Sequence, residues 1–111
     1  MVGSVVALAE TLALCEAMDL DPDHLVSLLD GGPLGSPYGV QKLDEMRKGS
    51  YPAGFPVRLA LKDLQLVEEA ANQEELSLPL LGVLLERFRA AETGGHADED
   101  LAAVFETVMG R

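Results

Sequence analysis

Start and stop signals for helices divide this chain into short segments, and this punctuation limits its possible folds more than any other feature. Each start signal pairs a residue that can cap a helix with a proline suited to the first helical position. The first two start signals are Asp21-Pro22 and Ser36-Pro37. Glycines that commonly end helices follow them, at Gly31-Gly32 and Gly49. Helices are therefore predicted between these signals.

Three further segments show the periodicity of amphipathic helices. Phe55-Pro56 opens a segment whose predicted inward residues are Val57, Ala60, Leu61, Leu64, Val67 and Ala71. Ser77 and Pro79 open the next, before Gly94-Gly95, with predicted inward residues Leu80, Leu81, Leu84, Leu85 and Phe88. Asp98 is predicted to cap the last, with the stripe Leu101, Val104, Phe105, Val108 and Met109. With the N-terminal run these make six predicted helices and no convincing strand, which indicates an all-α fold.

The N-terminal run, residues 1–18, is apolar on nearly every side and has no capping residue before it. This composition is typical of a helix buried on several faces. A domain rarely opens inside such a helix, so we expect the chain to be a fragment in which Met1 stands where a longer helix was cut. Glu10 lies within this run, and its carboxylate must either pair with another side chain or reach solvent.

The charge of the chain excludes two classes of function as the main role. With 19 acidic against 8 basic residues the net charge is −11, which disfavours binding to nucleic acids or to anionic membranes. No run of residues is long and apolar enough to span a bilayer. The single cysteine, Cys15, offers no disulfide framework and fits a reducing, cytoplasmic environment.

One stretch departs from the acidic character of the chain. Five of its eight bases fall within residues 42–62, and only two acids fall there. The bases are Lys42, Arg47, Lys48, Arg58 and Lys62. Arg58 and Lys62 lie four residues apart near a predicted helix start, where the helix dipole favours anions. They could hold a phosphate or carboxylate, or could simply form a solvated face. We expect no metal site, because His24, His96 and Cys15 lack ligand-like spacing.

The segment Phe55-Pro56-Val57-Arg58-Leu59-Ala60-Leu61-Lys62-Asp63-Leu64 resembles the F-x-x-x-L-x-x-K-D-L signature of the β-hydroxyacid dehydrogenases. The order of the surrounding landmarks is also similar to that family. These landmarks are Ala7-Leu8-Ala9-Glu10, Leu20-Asp21, Gly31 through Ser36, Leu78-Pro79-Leu80 and the turn from Gly94 to Asp100. Asp19 stands where the family usually has glycine. The resemblance spans nearly the whole chain.

The resemblance implies a helical bundle similar to the C-terminal domain of 6-phosphogluconate dehydrogenase, over residues 1–111. It implies that Lys62 contacts the nicotinamide cofactor, NAD or NADP, when two domains close. Phe55 and Asp63 would line the substrate cleft, and Ser36 would face it from a loop. The family's catalytic lysine belongs to a K-x-x-N-N motif expected just upstream of Met1, so no catalytic residue is predicted in this chain.

From the resemblance we expect a substrate and dimerisation domain that is N-terminally truncated. Its partner would be the missing Rossmann domain, which carries the glycine-rich loop of the family. We expect the chain alone to bind no cofactor and to be inactive, and the parent to form a homodimer or higher oligomer. Loss of the partner domain should expose the first helix and cause self-association through Val2, Val5, Val6, Ala9 and Leu12. The alternative is a stand-alone helical interaction module whose basic stretch docks an acidic partner.

Overall fold

The computed structural model describes residues 2–33 and 35–111. Within them it contains six α-helices: α1 (Val2–Ala17), α2 (Pro22–Leu29), α3 (Pro37–Lys48), α4 (Val57–Gln73), α5 (Pro79–Ala91) and α6 (Val104–Val108). In these residues the only extended pairing is an isolated bridge between Pro56 and Asp100. The all-α prediction is therefore confirmed. Met1, and Leu34 in the loop from Gly31 to Ser36, lie outside the described residues.

The punctuation read from the sequence corresponds to real caps. A carboxylate oxygen of Asp21 accepts from the Asp23 amide at 2.9 Å, and the Ser36 hydroxyl accepts from the Gly39 amide at 3.0 Å. Gly49 ends α3 in the left-handed region, with φ of 65°, where a side chain would be strained. The predicted starts of α2 and α3 and the predicted end of α3 are thus confirmed.

The last helix begins differently from the prediction. A turn of π-helix, Glu92–His96, follows α5, and a 3₁₀ turn, Leu101–Ala103, leads into α6. The cap is Asp100 rather than Asp98, because the Asp100 carboxylate accepts from the Ala102 amide while Asp98 points to solvent and pairs with Arg58. The prediction of Asp98 as the cap was wrong, since both aspartates precede the apolar stripe and spacing alone does not separate them.

Helix α1 lies at the centre of the bundle and contacts α2, α3, α5 and α6. Its Val5, Val6, Ala9 and Leu12 side chains are buried in the core of this chain. The predicted self-association surface was therefore wrong at these four residues, because they pack against other helices of this chain; Val2, the fifth residue of that prediction, is half-buried. Glu10 lies on the exposed side of α1, so its carboxylate reaches solvent.

The core is completed by the inward faces of the other helices. Phe88 of α5 and Phe105 of α6 are the largest fully buried side chains. Two residues predicted to point inward do not: Val67 is 47% exposed and Leu80 is 64% exposed. Leu66 of α4 and Val83 of α5 are exposed as well, at 55% and 48%. Within the described residues, no helix has the length and apolarity needed to cross a membrane.

Candidate functional site

A buried ion pair joins α3 to the turn before α6. The Lys42 ammonium lies 2.8 Å from Asp100 Oδ2 and 3.1 Å from Glu45 Oε1. Lys42 is 4% exposed and Asp100 is fully buried. Charges so placed must be paired and hydrogen-bonded to be tolerated. Here one ammonium is shared between two carboxyl groups, and burial raises the pKa of the Glu45 carboxyl above its usual value.

Both oxygens of Asp100 are used by the fold. Oδ1 accepts from the Phe55 amide at 3.0 Å. Oδ2 accepts from the Ala102 amide at 3.0 Å as well as from the Lys42 ammonium. Phe55 also accepts, through its carbonyl oxygen, from the Leu101 amide at 2.8 Å. Asp100 therefore fixes the backbone immediately before α4.

The hydrogen bonds of Asp100 set its pKa. Burial alone would raise the pKa of this carboxyl, but the donors on Lys42, Phe55 and Ala102 outweigh burial and hold the pKa below its usual value. Burial likewise works to lower the pKa of Lys42, and its bonds to Asp100 and Glu45 outweigh that effect and raise it. At neutral pH this pair is therefore ionised.

The N-terminus of α4 has no side-chain cap, and other backbone groups supply its acceptors. The amides of Val57 and Arg58 have no acceptor within the helix, because they lie in its first turn. They donate instead to the carbonyl oxygens of Glu99, at 2.9 Å, and Ala97, at 3.0 Å. An anion therefore cannot use these two amides. This removes one support for the predicted anion site at the start of α4.

The basic stretch does not form a free positive patch. Besides Lys42, three of its bases have acidic partners: Arg47 pairs with Asp23, Lys48 with Asp44 and Arg58 with Asp98. Exposed pairs of this kind contribute little to stability but neutralise charge locally. The docking patch required by the interaction-module alternative is thus largely neutralised.

Lys62 is the exception in that stretch. It is exposed in the second turn of α4, and among the described residues no carboxylate lies within ion-pair distance of its ammonium. Asp63, the next residue, is also exposed, and Phe55 is half-buried just before the helix. The structure places these three side chains on and before the first two turns of one helix. Its start is held by the loop of residues 97–101.

Ser36 lies in a different part of the surface. It borders a cavity of about 380 Å³ between α1 and the start of α3, and Phe55, Lys62 and Asp63 do not line this cavity. The Ser36 hydroxyl is already engaged as the cap of α3. Tyr38 lines the same cavity, and its ring centroid lies 5.0 Å from the Lys42 ammonium. The buried pair therefore lies between the Ser36 region and the Phe55 region.

Sequence reasoning missed Asp100 and the true role of Lys42. The sequence groups Lys42 with the other bases of residues 42–62 and marks Asp100 only as the end of a turn. A single sequence does not show burial for isolated charges, since nothing in their spacing, 58 residues apart, signals a contact. Within the described residues no group of three or more His, Cys, Asp or Glu side chains is close enough to hold a metal ion.

Comparison with known proteins supports the resemblance noted from the sequence. Residues 1–108 match a family model described as "NAD-binding of NADP-dependent 3-hydroxyisobutyrate dehydrogenase". Glyoxylate/succinic semialdehyde reductase 1 of Arabidopsis thaliana is 33% identical over 109 residues, which cover 97% of this chain and 38% of that protein. Cytokine-like nuclear factor N-PAC of Drosophila melanogaster is 30% identical over 102 residues, which cover 92% of this chain and 17% of that protein.

The fold is also shared with a solved structure. A crystal structure of 3-hydroxyisobutyrate dehydrogenase from Salmonella typhimurium superposes with a TM-score of 0.85 at 26% identity, covering 96% of this chain and 38% of that one. The chain spans little more than a third of the length of the reductase and the dehydrogenase that it matches. The match over 108 residues and the shared six-helix fold together show that this chain belongs to the 3-hydroxyisobutyrate dehydrogenase family.

Proposed function

We propose that this chain is the C-terminal helical domain of an NAD(P)-dependent β-hydroxyacid dehydrogenase. The enzyme would interconvert a small β-hydroxyacid and its semialdehyde or keto form. One observation carries the proposal: Lys62 is exposed and lacks an acidic partner among the described residues, whereas the other four bases of its stretch are paired. An unneutralised ammonium on an otherwise acidic chain suits a polar, anionic cofactor.

The residues of this chain would then take three roles. Lys62 would donate hydrogen bonds to the cofactor when a nucleotide-binding domain closes over α4. Asp63 and Phe55 would line the substrate side of the same cleft, which suits one exposed carboxylate and one half-buried ring. Ser36 is the weaker assignment, because its hydroxyl caps α3.

The chain needs partners for the chemistry itself. When bound, NAD(P)H supplies the hydride, and a fold outside this chain holds it. We expect the proton donor, a lysine, to precede Met1 in the parent, together with a Rossmann domain. A positioned general acid commonly contributes a factor of about a hundred or more to the rate. We therefore expect the 111-residue chain to be inactive alone and the parent to be an oligomer in the cytoplasm.

The test is an NAD(P)H oxidation assay with a panel of small semialdehydes and 3-keto acids. Two proteins are compared: the 111-residue chain alone, and the full-length protein that contains it. We expect substrate-dependent oxidation only with the full-length protein. Absence of activity with every carbonyl substrate would contradict the proposal, and activity of the short chain alone would contradict the assigned division of roles.

The match to a nuclear factor favours a second candidate, a helical interaction module. Such a module would need a surface for its partner, and the basic stretch is largely neutralised by Asp23, Asp44 and Asp98. A pull-down in which an acidic protein binds through Lys62, with no reductase activity in the full-length protein, would favour this candidate instead.

A further inference from the structure

The buried pair of Lys42 and Asp100 connects the two regions assigned to the cleft. On one side, the Lys42 ammonium lies 5.0 Å from the ring centroid of Tyr38, which borders the cavity shared with Ser36. On the other, Asp100 accepts from the Phe55 amide at 3.0 Å. The Lys42 ammonium and the Asp100 carboxylate are themselves in contact at 2.8 Å, so the pair links the two regions directly.

We propose that Lys42 and Asp100 are positioning residues of the cleft: their buried ion pair holds the Phe55 peptide and the first turn of α4 in the orientation from which Lys62 reaches the cofactor. The catalytic part of this inference rests on the proposed function. The structural part, that the pair fixes one end of α4, stands on the hydrogen bonds alone.

The backbone around Asp100 shows why the pair controls this segment. Val57 and Arg58 depend on the carbonyls of Glu99 and Ala97, because α4 has no side-chain cap. Those carbonyls belong to the three residues before Asp100, so the carboxylate anchors the loop that supplies the cap. Lys62 lies only one turn beyond Arg58, and a small rotation of the first turn would move its long side chain away from a cofactor.

A buried ion pair is not required for stability alone. Apolar residues of similar volume in such a place are often as stabilising, because desolvating two charges costs free energy. What apolar side chains cannot do is accept from the Phe55 and Ala102 amides in fixed directions. Asp100 does this with both oxygens while Lys42 holds the carboxylate in place. The ion pair therefore fixes the direction of the Phe55 and Ala102 amides as well as holding α3 to the turn before α6.

The experiment uses the full-length protein with two variants, Lys42→Met and Asp100→Asn, so that a failure of one to fold leaves the other. The control is Val6→Ala, a buried core position on α1 that is not among the hydrogen-bond partners of Lys42 or Asp100. Deuterium uptake is measured by mass spectrometry in peptides covering residues 53–60 and 97–103, and in a reference peptide from α1. The kcat and the KM for NAD(P)H are measured in parallel.

We expect exchange in residues 53–60 and 97–103 to accelerate at least tenfold in both variants, with the α1 peptide unchanged. The KM for NAD(P)H should rise at least tenfold, while Val6→Ala leaves it within twofold. Unchanged exchange in those segments, or an equal rise in KM for Val6→Ala, would overturn the positioning role. A wild-type protein with no activity would overturn the proposed function and the catalytic part, whereas the exchange result decides independently whether the pair holds α4.

Discussion

Replacing Asp100 by alanine is the most informative single perturbation of this fold. The side chain is fully buried and accepts three hydrogen bonds, from Lys42, Phe55 and Ala102. Breaking a buried ion pair costs about 3–5 kcal/mol, and each buried donor left unsatisfied costs about 1–3 kcal/mol. Because Glu45 stays 3.1 Å from the Lys42 ammonium and water can enter the gap, these costs do not simply add. We expect a total loss of about 3–5 kcal/mol.

Such a loss is a large part of the stability of a small domain, about 5–15 kcal/mol, so the variant should fold but lie near its limit. The assay is urea unfolding followed by circular dichroism at low temperature, with equal m-values required for comparison. Asp98→Ala is the matched control: its side chain is 89% exposed and loses one contact, to Arg58, so it should cost less than about 0.5 kcal/mol. Two variants that differ by less than about 1 kcal/mol would refute the reasoning from burial and hydrogen bonding.

Three other outcomes follow from single positions. Phe88→Ala should lower the free energy of unfolding in urea by about 3–5 kcal/mol, because the ring is fully buried. Val83→Ala should lower it far less, because Val83 is 48% exposed. Similar losses for the two variants would contradict the assignment of Phe88 to the core. Gly82→Ala should stabilise the chain by up to about 1 kcal/mol, because Gly82 is helical and an added Cβ would meet no other atom. Gly49→Ala should destabilise it by about 1 kcal/mol, because Gly49 has a left-handed φ of 65°. A higher melting temperature for Gly49→Ala than for Gly82→Ala would contradict this. The pKa of the Asp100 carboxyl is 3.8 in the unfolded chain and lower in the folded protein. The difference in unfolding free energy between wild type and Asp100→Asn should therefore be fully present above pH 3.8 and shrink as the pH falls through the folded pKa. A difference that grows on acidification would be inconsistent with the ion pair.

The helices were largely predictable from the sequence because their signals are local. The caps at Asp21 and Ser36 and the stop at Gly49 act over two to four residues, and a single sequence contains those residues in order. Periodicity also predicted which side chains face the core, except Val67 and Leu80. These two lie on the predicted apolar faces of their helices but remain exposed. Periodicity finds apolar residues but does not say which partner buries them.

The candidate site was predictable only in part. Lys62, Asp63 and Phe55 came from the resemblance to a known signature, whereas the pattern of bases alone favoured a solvated face. The neutralisation of Arg58 by Asp98 and the burial of Lys42 against Asp100 depend on contacts between residues 40 and 58 positions apart. Such contacts are set by the packing of α3 and α4 against the final turn, which no local pattern encodes.

The central claim, that Lys62 and its helix face a nicotinamide cofactor, is tested most directly by Lys62→Ala in the full-length protein. Losing a charge-assisted hydrogen bond of about 1.5–3 kcal/mol should lower kcat/KM for NAD(P)H about 10- to 100-fold. Lys48→Ala, an exposed lysine on α3 paired with Asp44, serves as the control and should leave kcat/KM unchanged. Equal values of kcat/KM for wild type and Lys62→Ala would contradict the assignment.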